Sequence, residues 1–352
     1  MTTLSPATLS RLKKGGVWVP SPLALDRRRK PLEKWQRLLT LYYIRAGARS
    51  VIPGAHTGEF SGGNLGIYGY WLNLVREMVE QFGGGEMFLM AAISGKGYMK
   101  QAELAARAGY DIAMLAPTAF TRAGDGEVLQ AYRNVASVIP VFGFELQKAV
   151  PGSRDFTYGL WEKIFTVACG AKAAPFNTYR AQVMLEAAAR SSRSADLVLV
   201  TGNDDRIIAD LGGVFPFTVG NRVVTVEYAG GLLGHFATDT FAAARWANAV
   251  LAAKRGAAWG FPLPEKELAH RVSMCNGALF DARNDFANSV WGVKYRLTSL
   301  GLLPGPWCFH EKGRKGLAED IDRAYGDAPA LSDREHLAEN LAGLKKEVGL
   351  IP

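Results

Sequence analysis

The chain has 352 residues, of which 48% are hydrophobic and 21% are charged, and its formal net charge is +8 at pH 7. This composition excludes a disordered or fibrous protein, and no apolar run approaches the roughly eighteen residues that a membrane helix needs. The three cysteines, Cys169, Cys275 and Cys308, lie too far apart to suggest a disulfide framework or a zinc site. They fit a reducing compartment, and we expect a cytoplasmic protein.

Eight short apolar runs alternate with amphipathic helical stretches, a pattern typical of repeated strand–helix units around a parallel sheet. The predicted strands are Val17–Leu23, Ser50–Ala55, Glu86–Ile93, Ile112–Pro117, Pro140–Leu146, Phe165–Ala173, Leu197–Gly202 and Gly231–Phe236. The predicted helices between them are Pro31–Ala46, Tyr70–Phe82, Met99–Ala108, Gly126–Ser137, Thr178–Ser191 and Phe241–Arg255. Eight units favour a closed (β/α)8 TIM barrel, and no Gly-x-Gly-x-x-Gly fingerprint of a dinucleotide fold follows the first strand.

Two segments depart from this repeat. The stretch Gly213–Ala229 carries Gly220-Asn221 between two β-rich runs, which predicts an inserted hairpin between strands seven and eight. From about residue 265 onward the pattern is helical. We therefore expect a barrel over residues 10–262 and a C-terminal helical extension over residues 263–352 that packs on the barrel.

The positive charge is not concentrated in one part of the sequence. Only Arg27–Lys30 forms a tight basic run, whereas elsewhere Lys and Arg alternate with Asp and Glu on helical stretches. A protein that binds nucleic acid needs its positive charge gathered on one face. We therefore expect neither nucleic acid nor a membrane among the partners, but a small-molecule substrate.

The active site of a TIM barrel lies at the C-terminal ends of its strands, where Lys172 stands near the end of predicted strand six. A charged amine in an apolar strand is costly, so burial favours the neutral amine, which is a nucleophile toward carbonyl carbon. The residues alone equally allow a lysine whose amine reaches solvent from the strand end.

Two further loops follow predicted strands. After strand two, the small residues around Thr57 would let backbone N–H groups approach a carboxylate, and His56 titrates near neutral pH. Such a turn is by itself more often only structural. After strand seven, Asp204 and Asp205 could bind a metal or do acid–base work, but an aspartate at a helix start more often caps the helix, and we prefer that interpretation.

The order of the motifs carries more information than any single one. In chain order they are Ser21-Pro22, Ala46-Gly47-Ala48, AHTGE at 55–59, Ala92–Gly95, Ala116-Pro117, GAKAA at 170–174, GNDD at 202–205, and Asn288–Lys294 followed by Leu300-Gly301-Leu302. Together, over residues 10–310, they resemble the dihydrodipicolinate synthase and N-acetylneuraminate lyase superfamily, as a divergent member.

This resemblance implies a class I mechanism, in which Lys172 forms an imine with a 2-oxo acid such as pyruvate, without a metal or another cofactor. It implies that His56, Thr57 and the backbone of Gly58 hold the carboxylate. It also implies that Gly231 and Gly234 line the floor near the imine, and that the protein assembles as a homodimer or homotetramer.

Three departures from the family pattern concern proton transfer and substrate binding. Phe144 stands 28 residues before the lysine, where the family has a proton-relaying tyrosine, and we take His56 as the candidate substitute. Thr118-Ala119 replaces the family's tyrosine pair, and Arg154 is the one candidate for its arginine. These changes argue against a role in lysine biosynthesis.

The sequence thus predicts a Schiff-base-forming lyase, aldolase or dehydratase acting on a 2-oxo acid, either sugar-derived or aromatic. Four aromatic residues near the predicted mouth would suit a flat substrate, or equally pack under a helix: Phe60, Tyr68, Tyr70 and Trp71. The alternative is a paralogue that binds a 2-oxo acid without turnover. A metal-dependent hydrolase would need clustered histidines, and the five histidines form no HxH pair.

Overall fold

Eight parallel strands form a barrel in the computed structural model, which describes residues 2–118, 120–147 and 150–352, with residues 61 and 62 described by their backbone alone. The strands in chain order are β1 (Gly16–Pro20), β2 (Ser50–Ile52), β3 (Met90–Ile93), β4 (Ile112–Leu115), β5 (Val141–Leu146), β6 (Gly170–Ala174), β7 (Val198–Thr201), β8 (Phe215–Val219), β9 (Arg222–Val226) and β10 (Gly230–Leu232). All except β8 and β9 belong to the barrel, which confirms the predicted fold class.

The barrel strands are hydrogen-bonded in the order β2-β1-β10-β7-β6-β5-β4-β3. At the remaining seam, between β2 and β3, the backbone N–H of Ala92 donates a hydrogen bond of 3.0 Å to the carbonyl of Pro53. Every residue of these eight strands is buried, because helices cover the outer face while side chains fill the interior. The strands therefore read as continuous apolar runs in the sequence.

Thirteen α-helices occur in the described part of the chain. They are α1 (Pro6–Lys13), α2 (Glu33–Arg45), α3 (Leu65–Phe82), α4 (Tyr98–Arg107), α5 (Asp125–Ala136), α6 (Tyr158–Ile164), α7 (Thr178–Arg190), α8 (Ile207–Gly212), α9 (Thr240–Lys254), α10 (Glu265–Leu279), α11 (Ser289–Ser299), α12 (Leu317–Gly326) and α13 (Arg334–Glu347). None of the helices in the described residues is long and apolar enough to cross a membrane.

Large side chains fill the end of the barrel that lies opposite the C-terminal ends of the strands. Trp18 contacts Phe88 and Phe142, with ring centroids 4.7 and 5.9 Å apart, respectively. Leu12 of α1 is fully buried in the same cluster. Since this end of the barrel is packed with apolar groups, room for a ligand is left at the C-terminal ends of the strands.

The predicted hairpin is confirmed between β7 and β10. Strands β8 and β9 pair antiparallel with Val219 opposite Arg222, which leaves Gly220-Asn221 as a two-residue turn. Gly220 has φ +58°, a value that glycine adopts without steric cost. The hairpin packs against α7 and follows the short helix α8, which was not predicted.

The helices after the barrel pack on it, in agreement with the predicted helical extension. Helix α10 contacts α8, and α13 contacts α2. Helix α11 contacts the 3₁₀ segment His56–Gly63, where the buried amine of Lys294 lies 3.4 Å from a carboxylate oxygen of Glu59. That oxygen also accepts a hydrogen bond from the backbone N–H of Phe309. The extension thus fixes the loop after β2, which lies at the C-terminal ends of the barrel strands.

The predicted start of strand six was wrong. The strand begins at Gly170, whereas Phe165 is the C-cap of helix α6, which the prediction missed. This helix is only seven residues long and buries Leu160, Trp161 and Ile164. A short buried helix gives an apolar run with no clear periodicity, and such a run cannot be told from a strand.

Candidate active site

A cavity opens at the C-terminal ends of the barrel strands, with a free volume of about 640 Å³ including its mouth. Lys172 of β6 lies at its base and is 8% exposed. Its partner residue in the parallel register with β5 is Phe144, and the Lys172 amine lies 4.4 Å from the centroid of the Phe144 ring. The ring face is a favourable neighbour for a cation, but it offers no group that could accept the amine proton.

Burial lowers the pKa of the Lys172 amine to about 8, although the Asp204 carboxylate nearby acts in the opposite direction. At pH 7 a pKa of about 8 leaves roughly one amine in ten neutral, against roughly three in ten thousand at the ordinary value of 10.5. The structure therefore places a buried lysine with a lowered pKa in a cavity at the C-terminal ends of the strands.

Gly202, directly after β7, makes room for this lysine. A methyl group added there would lie 2.2 Å from Cε of Lys172 and 2.7 Å from Cβ of Ala174. The lysine stem would have to move, and displacing a reacting group by about 1 Å can cost roughly 10²-fold in rate. We expect Gly202→Ala to slow borohydride-dependent trapping of a 2-oxo acid on Lys172 by about this factor, as measured by intact-mass spectrometry.

The matched control for that variant is Gly159→Ala. Gly159 lies in helix α6, and a methyl group added to it would have no neighbour within 4 Å. We expect this variant to trap the 2-oxo acid at the wild-type rate. Equal trapping rates for the two variants would contradict the idea that Gly202 positions the lysine.

The loop after β2 brings His56 and Thr57 to the cavity wall, but not Gly58. The Thr57 hydroxyl donates a hydrogen bond of 2.5 Å to the carbonyl of Pro20. The backbone N–H of Gly58 donates to the carbonyl of Ala55, and a methyl group on Gly58 would lie 2.4 Å from the ring of Trp71. Within the described residues, the N–H groups of His56 and Thr57 have no acceptor, whereas the N–H of Gly58 has one.

His56 is a weaker base here than its residue type suggests. Burial and the neighbouring Lys172 amine lower its pKa to about 4, while Glu59 acts in the opposite direction. The ring is therefore neutral at pH 7 and is suited to donating or accepting a hydrogen bond. An efficient general base has a pKa near the working pH, and His56 does not.

Phe144 lies in the cavity wall, where the family pattern has a tyrosine. Among the described residues no tyrosine lines the cavity. Tyr132 of helix α5 donates to the carbonyl of Leu115 and accepts from the N–H of Phe144. Arg154 is also remote from the cavity wall, since its guanidinium donates to Asp125.

The segment after β4 supplies no relay group in the described residues. The Thr118 hydroxyl accepts a hydrogen bond of 3.1 Å from the N–H of Gly95. Ala119, the second residue of the replaced tyrosine pair, lies outside the described residues. The proton path of the family pattern therefore has no counterpart at either position.

Asp204 is the acidic residue that lines the cavity, and from the sequence we set it aside in favour of helix capping. Its carboxylate lines the cavity together with Lys172 and accepts hydrogen bonds from the N–H groups of His235, at 3.1 Å, and Gly234. It does not cap helix α8, which starts at Ile207, so the preferred capping interpretation was wrong. The signal available in the sequence was only its place directly after a strand end.

Phenylalanine rings form much of the cavity wall. Phe176 and Phe286 meet edge to face with ring centroids 5.4 Å apart, and Phe280 packs beside Gly234. Phe176 and Phe286 have φ values of +49° and +60°. Such backbone strain in residues other than glycine is concentrated at functional sites.

The aromatic residues that the sequence placed near the mouth lie elsewhere. Tyr68 and Trp71 are buried in the helix-facing core, and neither they nor Phe60 and Tyr70 line the cavity. The cavity aromatics come instead from β5, from the loop after β6 and from the connection between α10 and α11. The positions of these phenylalanines in the sequence did not indicate that they line one cavity.

The two glycines predicted for the floor differ in position. Gly234 lines the cavity, and a methyl group there would lie 2.8 Å from the Phe280 ring. Gly231 does not line it; a methyl group there would instead lie 2.4 Å from Leu233 and 2.8 Å from Phe236. In the part of the chain that the structure describes, no cluster of His, Cys, Asp and Glu could hold a metal ion.

Comparison with solved structures relates this geometry to known proteins. Dihydrodipicolinate synthase from Bacteroides thetaiotaomicron is 16% identical, with a TM-score of 0.70, over 89% of this chain and 98% of that one. The chloride-inhibited synthase from Acinetobacter baumannii, solved with pyruvate, is 15% identical, with a TM-score of 0.71, over 90% and 99%. N-acetylneuraminate lyase from Mycoplasma synoviae is 14% identical, with a TM-score of 0.66, over 89% and 98%.

No protein-family model and no curated protein sequence matches the chain. At these identities the structural likeness concerns the fold, and it spans nearly the whole length of each neighbour. The chain therefore has the barrel fold of dihydrodipicolinate synthases and N-acetylneuraminate lyase, which is the fold that the order of its sequence motifs predicted.

Proposed function

We propose that the protein is a Schiff-base-forming lyase, aldolase or dehydratase that acts on a 2-oxo acid. The observation that carries the proposal is the buried amine of Lys172 at the base of the cavity, with its pKa lowered to about 8. A neutral lysine amine can attack the 2-oxo carbon, and the resulting protonated imine draws electrons away from the neighbouring C–C bond. The chemistry needs no metal or other cofactor.

The carboxylate of the substrate would bind at the loop after β2. The N–H groups of His56 and Thr57 have no acceptor within the described residues, and two successive backbone donors form a site for an anion. The neutral His56 ring lies in the same wall and would add a hydrogen bond. The Thr57 hydroxyl, which donates to Pro20, keeps only acceptor positions and would fix the loop instead.

The remainder of the substrate would be apolar and aromatic. The cavity walls above Lys172 carry Phe144, Phe176, Phe280 and Phe286. Rings stack favourably edge to face or offset with an aromatic ligand. A sugar-derived chain would instead need hydrogen-bonding groups for each hydroxyl, because an unpaired buried hydroxyl costs free energy. We therefore favour a 2-oxo acid whose cleavage gives pyruvate and an aromatic aldehyde.

Binding without turnover is the second candidate function. It is favoured by Phe144, because the ring beside the lysine has no hydroxyl to relay a proton. In that case pyruvate would form an imine, but the protons of its methyl group would not exchange with solvent.

Two broader proposals rest on the family resemblance and on composition. We propose a homodimer or homotetramer, by analogy with the family. We also propose a cytoplasmic location, which suits three cysteines that are all buried and free.

The proposal is tested by borohydride trapping followed by mass spectrometry. The protein is incubated separately with pyruvate, with phenylpyruvate and with a 2-oxo-3-deoxy sugar acid, and the adduct is mapped by peptide digestion. We expect adducts on Lys172 with pyruvate and phenylpyruvate, and a smaller yield with the sugar acid. Trapping should become faster between pH 6 and 8 and level off above pH 8, because the neutral amine is the reactive form.

Failure to trap any 2-oxo acid would refute the imine mechanism. A higher yield with the sugar acid than with phenylpyruvate would refute the aromatic substrate class while leaving the mechanism in place.

A further inference from the structure

Asp204 is a buried carboxyl group that shares the cavity with the reactive lysine. It is 8% exposed, and the N–H of His235 donates to it at 3.1 Å. Its own backbone carbonyl accepts a hydrogen bond of 2.6 Å from the side chain of Asn276, which also contacts the His235 ring at 2.6 Å. The carboxyl group is thus held in place by the segment after β10 and by helix α10.

Asp204 and Lys172 do not form a direct ion pair. Within the described residues, no ion pair with an N–O distance of 4.0 Å or less joins the Lys172 amine to the Asp204 carboxylate. Both nevertheless line the same cavity and are close enough to influence each other's pKa. A substrate bound in this cavity would therefore lie beside both side chains.

Three other side chains that line the cavity are poor proton carriers at neutral pH. Phe144 has no exchangeable proton, and the Thr57 hydroxyl is bonded to Pro20. His56 has a pKa of about 4. Burial, by contrast, raises the pKa of Asp204 to about 7, although hydrogen bonds from the N–H groups of His235 and Gly234 and the charge of Lys172 act in the opposite direction. A group with such a pKa can both accept and donate a proton near pH 7.

We propose that Asp204 is the catalytic acid–base group of this site and takes the place of the tyrosine that Phe144 replaces. The inference rests on the proposed imine at Lys172. It assigns the proton-transfer role to the carboxyl group that lines the same cavity as the amine, rather than to His56.

In the direction of C–C bond formation, the proposed reaction has three steps. The Asp204 carboxylate removes a proton from C3 of the imine formed with pyruvate, and the C3–H electron pair forms the C2–C3 double bond as the imine nitrogen takes up electrons. The enamine carbon then attacks the aldehyde carbon. The protonated Asp204 returns its proton to the aldehyde oxygen, which becomes the hydroxyl group of the product. Cleavage runs through the same steps in reverse.

The test separates imine formation from proton transfer. Wild type, Asp204→Asn and Asp205→Asn are incubated with pyruvate in deuterium oxide, and loss of the methyl proton signal is followed by NMR. Imine formation is measured in parallel by borohydride trapping. Asp205 is the matched control, because it is the neighbouring carboxylate, is exposed and does not line the cavity.

We expect Asp204→Asn to keep the Lys172 adduct but to lower the maximal exchange rate by about 10²-fold or more, the usual contribution of a general acid–base group. Asp205→Asn should exchange at the wild-type rate, and Asp204→Glu, which keeps a carboxyl group, should recover part of the lost rate. His56→Ala should mainly raise the pyruvate concentration needed for half-maximal exchange.

Two results for the variants overturn the inference. In the first, Asp204→Asn or Asp204→Glu forms the adduct, and the exchange rate of Asp204→Asn is within about threefold of the wild-type rate. In the second, His56→Ala lowers the maximal exchange rate and Asp204→Asn does not. The inference is also overturned if wild type forms the adduct without exchange, in which case the imine stands and binding without turnover is favoured. Absence of any adduct in wild type would refute the proposed function itself.

Discussion

Replacing Lys172 with methionine is expected to abolish both adduct formation and turnover, with a loss in rate of at least about 10³-fold, the scale on which loss of a catalytic nucleophile acts. Methionine fills a similar volume but has no amine, so no imine can form. The adduct is measured by intact-mass spectrometry after borohydride reduction with pyruvate, and turnover by the exchange of methyl protons.

Stability measurements show whether this loss has a chemical or a structural cause. Burial lowers the pKa of Lys172 from 10.5 to about 8, so the unfolded chain binds the proton more tightly than the folded one. The amine therefore costs stability in full below about pH 8, and the cost disappears above about pH 10.5. We expect Lys172→Met to unfold at no lower a temperature than wild type at pH 7, with an advantage that shrinks as the pH is raised.

A matched buried lysine provides the control for this variant. The amine of Lys254 donates to the carbonyl of Tyr228 and pairs with Glu227, outside the cavity wall. We expect Lys254→Met to keep the adduct on Lys172. An adduct of equal yield in Lys172→Met would show that a different amine reacts and would contradict the assignment.

The second large effect concerns stability. Arg296→Met is expected to lower the free energy of unfolding by about 3–5 kcal/mol, the usual cost of removing one partner of a buried ion pair. The Arg296 guanidinium donates to both carboxylate oxygens of Asp239, at 2.7 and 2.8 Å, and their side chains are 1% and 0% exposed. It also donates to the Ser332 hydroxyl and lies 4.0 Å from the centroid of the Tyr325 ring.

The size of the effect follows from what the variant leaves behind. Without the guanidinium, the Asp239 carboxylate remains buried, with the backbone N–H of Asp333 as its neighbour. The free energy is measured by urea unfolding, with Arg76→Ala as the control. Arg76 pairs with Glu80 on the surface of α3, and such pairs contribute less than about 1 kcal/mol. A loss below about 1 kcal/mol for Arg296→Met would contradict the prediction.

The barrel could be predicted from the sequence because its signals are local. Each strand is buried on both faces and therefore reads as an apolar run, and the hairpin turn depends on one glycine, Gly220. Lys172 was singled out because a single charged residue interrupts its apolar strand, but the residues alone equally allowed a lysine that reaches solvent, and the order of the motifs favoured the reactive lysine. The short helices α6 and α8 were missed because seven or six residues give no reliable periodicity.

The remainder of the site could not be predicted, because it depends on contacts between distant segments. Asp204 looks like a helix cap until His235 is seen to donate to it. Phe176 and Phe286 are 110 residues apart in the sequence yet meet edge to face. In the loop after β2, Gly58 is bonded to Ala55, so only His56 and Thr57 of the three predicted residues keep a free N–H within the described residues.

Two separate parts of the chain form the cavity wall, and only one of them carries the Lys172 amine. Lys172 and Phe144 belong to barrel strands, whereas Phe280, Phe286, Ser289 and Val290 belong to the segment around α10 and α11. Substitutions in that later segment can reshape the space offered to the substrate without disturbing the strand that carries the amine. A protein built in this way can change what it binds, over evolution or by design, while keeping its reaction.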